Sequence, residues 1–249
     1  MNWLPDLIGA DTALLLIITS TLTSMLTAAM GIGGGVLLLA VMATIVPPAA
    51  LIPVHGLVQL GSNGNRALLT REYIDWSLLR LFFGGALIGA VIAYFVVVQL
   101  PVEMIQLSVA GFILFLVWGP GFGKQEMRPA GLALAGAGTT LITMFVGATG
   151  PLVAAFVHRL GHEKYRTVAT FAACMTVQHL LKMLVFGLIG FAFTDWLPLI
   201  IVMIAGGFAG TWIGLHLLKK VPAERFQVIF RLLVTTLALR LVWQVFSGA

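Results

Sequence analysis

The sequence predicts an all-α polytopic membrane protein made of two inverted repeats, residues 1–123 and 124–249, of about five helical segments each, forming a single integral membrane domain. Three observations carry this. Hydrophobic residues make up 60% of the 249-residue chain and charged residues only 9%, with a mean hydropathy of +1.06; soluble domains carry roughly 25% charged residues. Apolar runs of about 20 residues, the length that crosses a bilayer core as helix, recur from end to end. The chain is also written twice about 120 residues apart, with Gly31-Ile32-Gly33-Gly34-Gly35 interrupting the first copy and Gly147-Ala148-Thr149-Gly150-Pro151 the second. Asp75-Trp76 answers Asp195-Trp196, Gly84-Gly85 answers Gly206-Gly207, and Leu116-Val117-Trp118 answers Leu241-Val242-Trp243. The stretch from Pro101 to Gln106 answers that from Pro222 to Gln227.

The first copy begins with the run 12–30. Its flank, Met1 to Asp6, has no basic n-region and no small-residue cleavage site follows, so the run reads as retained in the mature chain. Segment 34–46 follows the first glycine break, 49–66 the Pro47-Pro48 corner, 77–98 the Asp75-Trp76 corner and 104–122 the Pro101/Glu103 corner. The second copy repeats the series with 129–146, then 151–160 after its own break, 167–192, 197–218 after Asp195-Trp196, and 226–246 after Pro222. A helix over 151–160 rises about 15 Å against a core of about 30 Å, so 34–46 and 151–160 read either as crossings or as arms of re-entrant hairpins.

The net charge of +5 belongs to topology. Lys and Arg sit in short connections, at Arg66/Arg71/Arg80, Lys124/Arg128, Arg159/Lys164/Arg166 and Lys219/Lys220/Arg225, which argues against a nucleic-acid partner. With these clusters on the cytoplasmic side, one consistent path runs with both termini outside, and an odd number of segments per copy makes the copies inverted. The single Cys174 lies in an apolar segment and excludes a disulfide framework.

Two constellations carry the candidate chemistry. Gly33-Gly34-Gly35 and Thr149-Gly150-Pro151 each open a helical run, and unpaired N–H groups at a helix start, with glycine allowing close approach, suit an anion. On the following segments His55, Gln59, Asn63 and Arg66 share one helical face, as do Cys174, Gln178 and Lys182, with Gln59 and Gln178 in the same repeat position near mid-bilayer. An ionised Lys182 at that depth costs about 2.5–3.5 kcal/mol, and every Asp and Glu lies near a segment end, so an anionic ligand is its expected partner. His55 is the candidate proton-coupling group. His179 lies one residue off the Gln178/Lys182 face and reads as a packing histidine, and His158, His162 and Glu163 as part of a basic loop, with no metal site expected. No Ser/His/Asp constellation, paired carboxylates or ATP-binding motif is found, so neither an enzyme nor a primary pump is expected and no cofactor is implied.

The first glycine break with its apolar run, Pro48-Ala49-Ala50, Gly61-Ser62-Asn63, and the Asp75-Trp76 corner before a Gly-Gly helix together resemble the TauE/SafE sulfite exporter family. That resemblance implies a bacterial or plant membrane protein moving sulfite, a sulfonate or a related sulfur-containing anion. The combined expectation is a secondary transporter in the bacterial inner membrane, working by alternating access. Gln59, Gln178 and Lys182 would bind the anion together with both breaks. The chain's partners would be a small anion and the lipid bilayer, and a homo-oligomer is compatible with the sequence. A passive anion channel on the same scaffold is the alternative.

Overall fold

The computed structural model describes residues 5, 8–30, 33–97, 102–119, 129–158, 160–217 and 223–247, with side chains for all of these except 102, 116, 129, 223–231 and 233. Gly31, Ile32, the Pro101 and Pro222 corners, and Asp6, Lys124, Arg128, Arg159, Lys219 and Lys220 lie outside the described residues. Within them the chain is helical, in the order α1 (Ala10–Met30), α2 (Gly34–Ala43), α3 (Pro48–Leu69), α4 (Trp76–Val96), α5 (Val102–Trp118), α6 (Pro129–Val146), α7 (Gly150–His158), α8 (Lys164–Leu188), α9 (Leu197–Leu217) and α10 (Ala223–Ser247). Among the described residues there is no strand.

Among the described residues four stretches are long and apolar enough to cross a membrane: α1, α4, α8, and Phe193–Leu217, where a 3-10 turn runs into α9. Their outer faces present large apolar side chains such as Phe83, Ile88, Phe95, Ile201, Phe208 and Trp212. A patch of that extent is compatible with hydrocarbon and not with water. The protein is an integral membrane protein.

Local chemistry sets the helix ends, and several differ from the expected bounds. Helix α3 opens on Pro48, whose fixed φ and missing N–H suit the first helical position. It runs past Arg66 to Leu69, where the Thr70 hydroxyl and N–H both donate to the Arg66 carbonyl, at 2.7 and 3.0 Å. Asp75 then caps α4, its Oδ1 accepting from the N–H groups of Ser77 and Leu78 at 3.1 Å. Helix α8 starts three residues earlier than expected and stops at Leu188 rather than 192. Gly190 there takes φ 95°, and the Phe191 N–H reaches back to the Phe186 carbonyl at 3.0 Å, the six-to-one bond of a glycine helix stop.

The helices pair across the two halves of the chain: α1 lies on α9, α4 on α6, α3 on α8 and α5 on α10. Two of these contacts are backbone-close. A Cβ added at Gly85 of α4 would overlap the Ala133 carbonyl oxygen of α6, and one at Gly210 of α9 would overlap that of Thr21 on α1. Small residues permit such approach, which apolar packing inside a membrane rewards. The hydroxyl of Ser20 adds a bond to the Met203 carbonyl at 2.9 Å. The α1–α9 and α4–α6 pairs enclose α3 and α8, which therefore bury polar side chains in the middle of the bundle.

Candidate anion-binding site

The two short helices start beside each other. Gly33 caps α2 with φ 104°, a conformation that favours glycine, and its carbonyl takes the N–H groups of Val36 and Leu37. The first N–H groups of α2, on Gly34 and Gly35, therefore lie before the helical ladder begins. In α7 the Thr149 carbonyl takes the N–H groups of Leu152 and Val153. Because Pro151 has no N–H, the second start offers one donor fewer than the first.

Between these starts lies a cavity of about 20 Å³. Gly33 and Gly35 of the first break, Gly150 and Pro151 of the second, His55, Gln59 and Asn63 of α3, and Phe171, Met175 and His179 of α8 line it, with Thr27 of α1. Six of the sequence-selected residues thus meet at one place: Gly33, Gly35, His55, Gln59, Asn63 and Gly150. Gly34 does not line the cavity; it is wedged against Thr23 and Thr27 of α1.

The residues chosen on α8 and in the second break take another position. Gln178 is fully buried and saturated, its Oε1 accepting from Thr149 Oγ1 at 2.8 Å and its Nε2 donating to Thr139 and Thr140 Oγ1 at 3.0 and 3.3 Å. Lys182 lays its stem against Gly56 of α3, where a Cβ would come within 2.8 Å of its Cδ. Its Nζ donates to Thr143 Oγ1 at 2.8 Å and to the Gly147 carbonyl at 2.6 Å. Gly147 has φ 83°, so Lys182 grips the second break at its left-handed residue. Cys174 is buried among apolar side chains of α7 and α8, including Val153 and Phe171. Arg66, 1% exposed, sits one turn beyond Asn63 and does not line the cavity.

His55 donates from Nε2 to the Gly35 carbonyl at 2.9 Å, since that oxygen can only accept. Its ring stands edge-on to His179 with centroids 6.1 Å apart, and Nδ1 of each is buried without a partner. His179 and Thr27 were not chosen from the sequence; neither were Thr139, Thr140 and Thr143. The available signal was the hydroxyl spacing on α6, with Thr139 and Thr143 four residues apart and so on one face. Of the described residues, no Asp or Glu is buried, while Arg66 and Lys182 are. The described interior therefore buries two basic side chains and no carboxylate.

At the end of α3, Asp75 Oδ2 meets Arg166 at 3.0 Å and His162 at 3.1 Å, and the Asp75 N–H donates to Thr170 Oγ1 at 2.9 Å. Burial alone would raise the Asp75 carboxyl, but the Leu78 N–H and Arg166 outweigh it and hold it below its ordinary value. The α3–α4 corner is thereby fastened to the start of α8.

The family model for the sulfite exporter TauE/SafE matches residues 16–241. No curated protein and no solved structure matches the chain.

Proposed function

The chain belongs to the sulfite exporter TauE/SafE family, and on that premise we propose that it is a secondary transporter of a small sulfur-containing anion, sulfite or a sulfonate, working by alternating access. The observation that carries this reading is the cavity where both glycine breaks meet, inside a bundle that buries Arg66 and Lys182 and, among the described residues, no carboxylate. An anion there would be met by the N–H groups opening α2 and α7, by Gln59 and Asn63, and by His55, the candidate for carrying a coupled proton. Gln178, Thr149 and Lys182 would act from behind, holding the second break in place.

A void of about 20 Å³ is on the scale of one water, for which roughly 10–15 Å³ is needed. The described conformation therefore corresponds to a closed state, and the anion enters when one half moves on the other. That closure favours a carrier over an open anion channel. The cross-half pairing supports an inverted repeat: exchanging the two runs of five helices turns the α1–α9 contact into α6–α4 and maps α3–α8 and α5–α10 onto themselves. The ten and nine residues of α2 and α7 rise about 15 and 14 Å, half of a bilayer core, which supports re-entrant arms ending near mid-membrane. Loop charges support a bacterial inner-membrane path with Asp75 at the cytoplasmic face and both termini outside.

The test is a thermal-shift screen of the purified protein against sulfite, sulfate, thiosulfate and short sulfonates, with uptake into proteoliposomes alongside. A ligand that binds the native state raises its apparent stability, by about 2.7 kcal/mol at 100 times Kd. Saturable uptake of at least one of these anions is expected. No shift with any of them and no saturable flux overturns the reading, and flux linear in anion concentration selects the channel.

A further inference from the structure

Arg66 is the largest fully buried side chain in the described protein, and no acid faces it. Its Nη1 donates to Asn63 Oδ1 at 2.9 Å and its Nη2 reaches Ser62 Oγ at 3.5 Å, while Nε has no partner. Ser62 in turn bonds Ser24 of α1 at 2.8 Å. A guanidinium only donates, so the Asn63 amide must present its oxygen to Arg66. Its NH₂ then points the other way, to the Gln59 main-chain carbonyl at 2.9 Å and to Gln59 Oε1 at 3.0 Å. The carbonyl only accepts, so both neighbours fix Asn63 in the same orientation. Gln59 Oε1 is thereby engaged, and the donor end of its amide has no assigned partner among the described residues. Gln59 lines the cavity, 3.4 Å from where a Cβ on Gly35 would stand.

We propose that Arg66 is a positioning residue that brings positive charge to the anion site without touching the anion. It locks Asn63, Asn63 locks Gln59, and Gln59 Nε2 becomes the donor that meets the ligand. Every bond in this ladder runs in one direction, so each polarises the next and the cavity faces its positive end. The planar fork reaches Asn63 and Ser62 from two separate nitrogens in a fixed geometry, which a compact ammonium on a flexible stem does not reproduce. The ladder distinguishes anions from neutral and cationic solutes of the same size, because reversing it would bring two donors together at Asn63. This deepens the anion-transport reading and rests on it.

A double-mutant cycle on sulfite affinity tests the ladder, with Arg66→Gln, Gln59→Leu and the combination, each checked for monodispersity in detergent. Each single substitution is expected to weaken sulfite binding about tenfold or more, and the double to be no weaker than the worse single, since both remove the same donor. A double loss equal to the product of the singles shows Arg66 acting independently of Gln59 and overturns the proposal. Should Arg66→Gln fail to fold, Arg66→Lys in the same cycle is expected to give a smaller loss with the same non-additivity, and additivity there overturns the proposal equally. Wild-type binding with additive losses leaves anion transport standing and removes the ladder; a wild-type protein that binds none of the four anion classes removes both.

Discussion

Helices α3 and α8 are each third in their run of five and each buries a glutamine, Gln59 and Gln178, yet they use it in opposite ways. Gln59 on α3 keeps a donor turned to the cavity, supported from behind by Asn63 and Arg66. Gln178 on α8 has its amide spent on Thr139, Thr140 and Thr149. Lys182, four residues on, is spent likewise on Thr143 and Gly147. The neighbours cause the difference: α6 meets α8 with three threonines, whereas of the α1 hydroxyls facing α3 Ser24 goes to Ser62 and Thr27 lines the cavity. One helix offers its polar atoms to a ligand, and the other uses them to hold a glycine break in shape.

Lys182→Met attacks the holding half at its strongest point and carries the largest expected effect, a loss of transport of at least about 100-fold in proteoliposomes. Charge-assisted bonds of this kind contribute about 1.5–3 kcal/mol, but removing a buried cation also relieves its desolvation. Thermal unfolding is therefore expected to shift by no more than about 2 kcal/mol. A collapse in stability with flux per folded molecule intact reverses the assignment. The two glutamines give a sharper contrast of about tenfold. Gln59→Leu is expected to weaken anion binding with little change in stability. Gln178→Leu is expected to destabilise by about 1–3 kcal/mol, because three threonine hydroxyls lose a buried partner. Equal effects in both assays from both variants break the comparison.

The smallest effect concerns the fastening between the α3–α4 corner and α8. The folded Asp75 carboxyl lies below its unfolded value of about 3.9. Its stabilisation is thus fully present above that value and fades as pH falls through the folded one. Asp75→Asn is expected to cost up to about 1 kcal/mol at neutral pH, the range of an exposed ion pair, and to leave less acid sensitivity below about pH 4, read by thermal unfolding as pH is lowered. An unchanged acid limb disposes of this role.

The helical membrane fold was legible in composition and in the length of the apolar runs, and the family in the first break and the residues after it. Helix ends were less so: Gly190 stops α8 four residues before the apolar run does, because hydropathy does not register a left-handed turn. On α3 the periodic row His55, Gln59, Asn63 is the row that lines the cavity. On α8 the sequence pointed to Cys174, Gln178 and Lys182, while the cavity takes Phe171, Met175 and His179, the adjacent row. Neighbouring rows differ by about 100° around a helix, and α8 is buried over most of its span, so no polar–apolar contrast chooses between them. The threonines that saturate Gln178 and Lys182 lie 29–39 residues away in the chain, beyond the reach of any local pattern.

The lack of a buried carboxylate among the described residues bears on energy supply as well as on recognition. Among the described residues no buried carboxylate is available to pair with a cation moving alongside the anion, so an anion crossing without a proton on His55 moves net negative charge. A membrane potential of 100 mV acts on one elementary charge with about 2.3 kcal/mol, enough for roughly a 50-fold concentration ratio. In a cell that is negative inside, that force drives the anion outward. With no proton carried by His55, the proposed carrier is thus expected to run outward on voltage, visible as a current that reverses with the imposed potential.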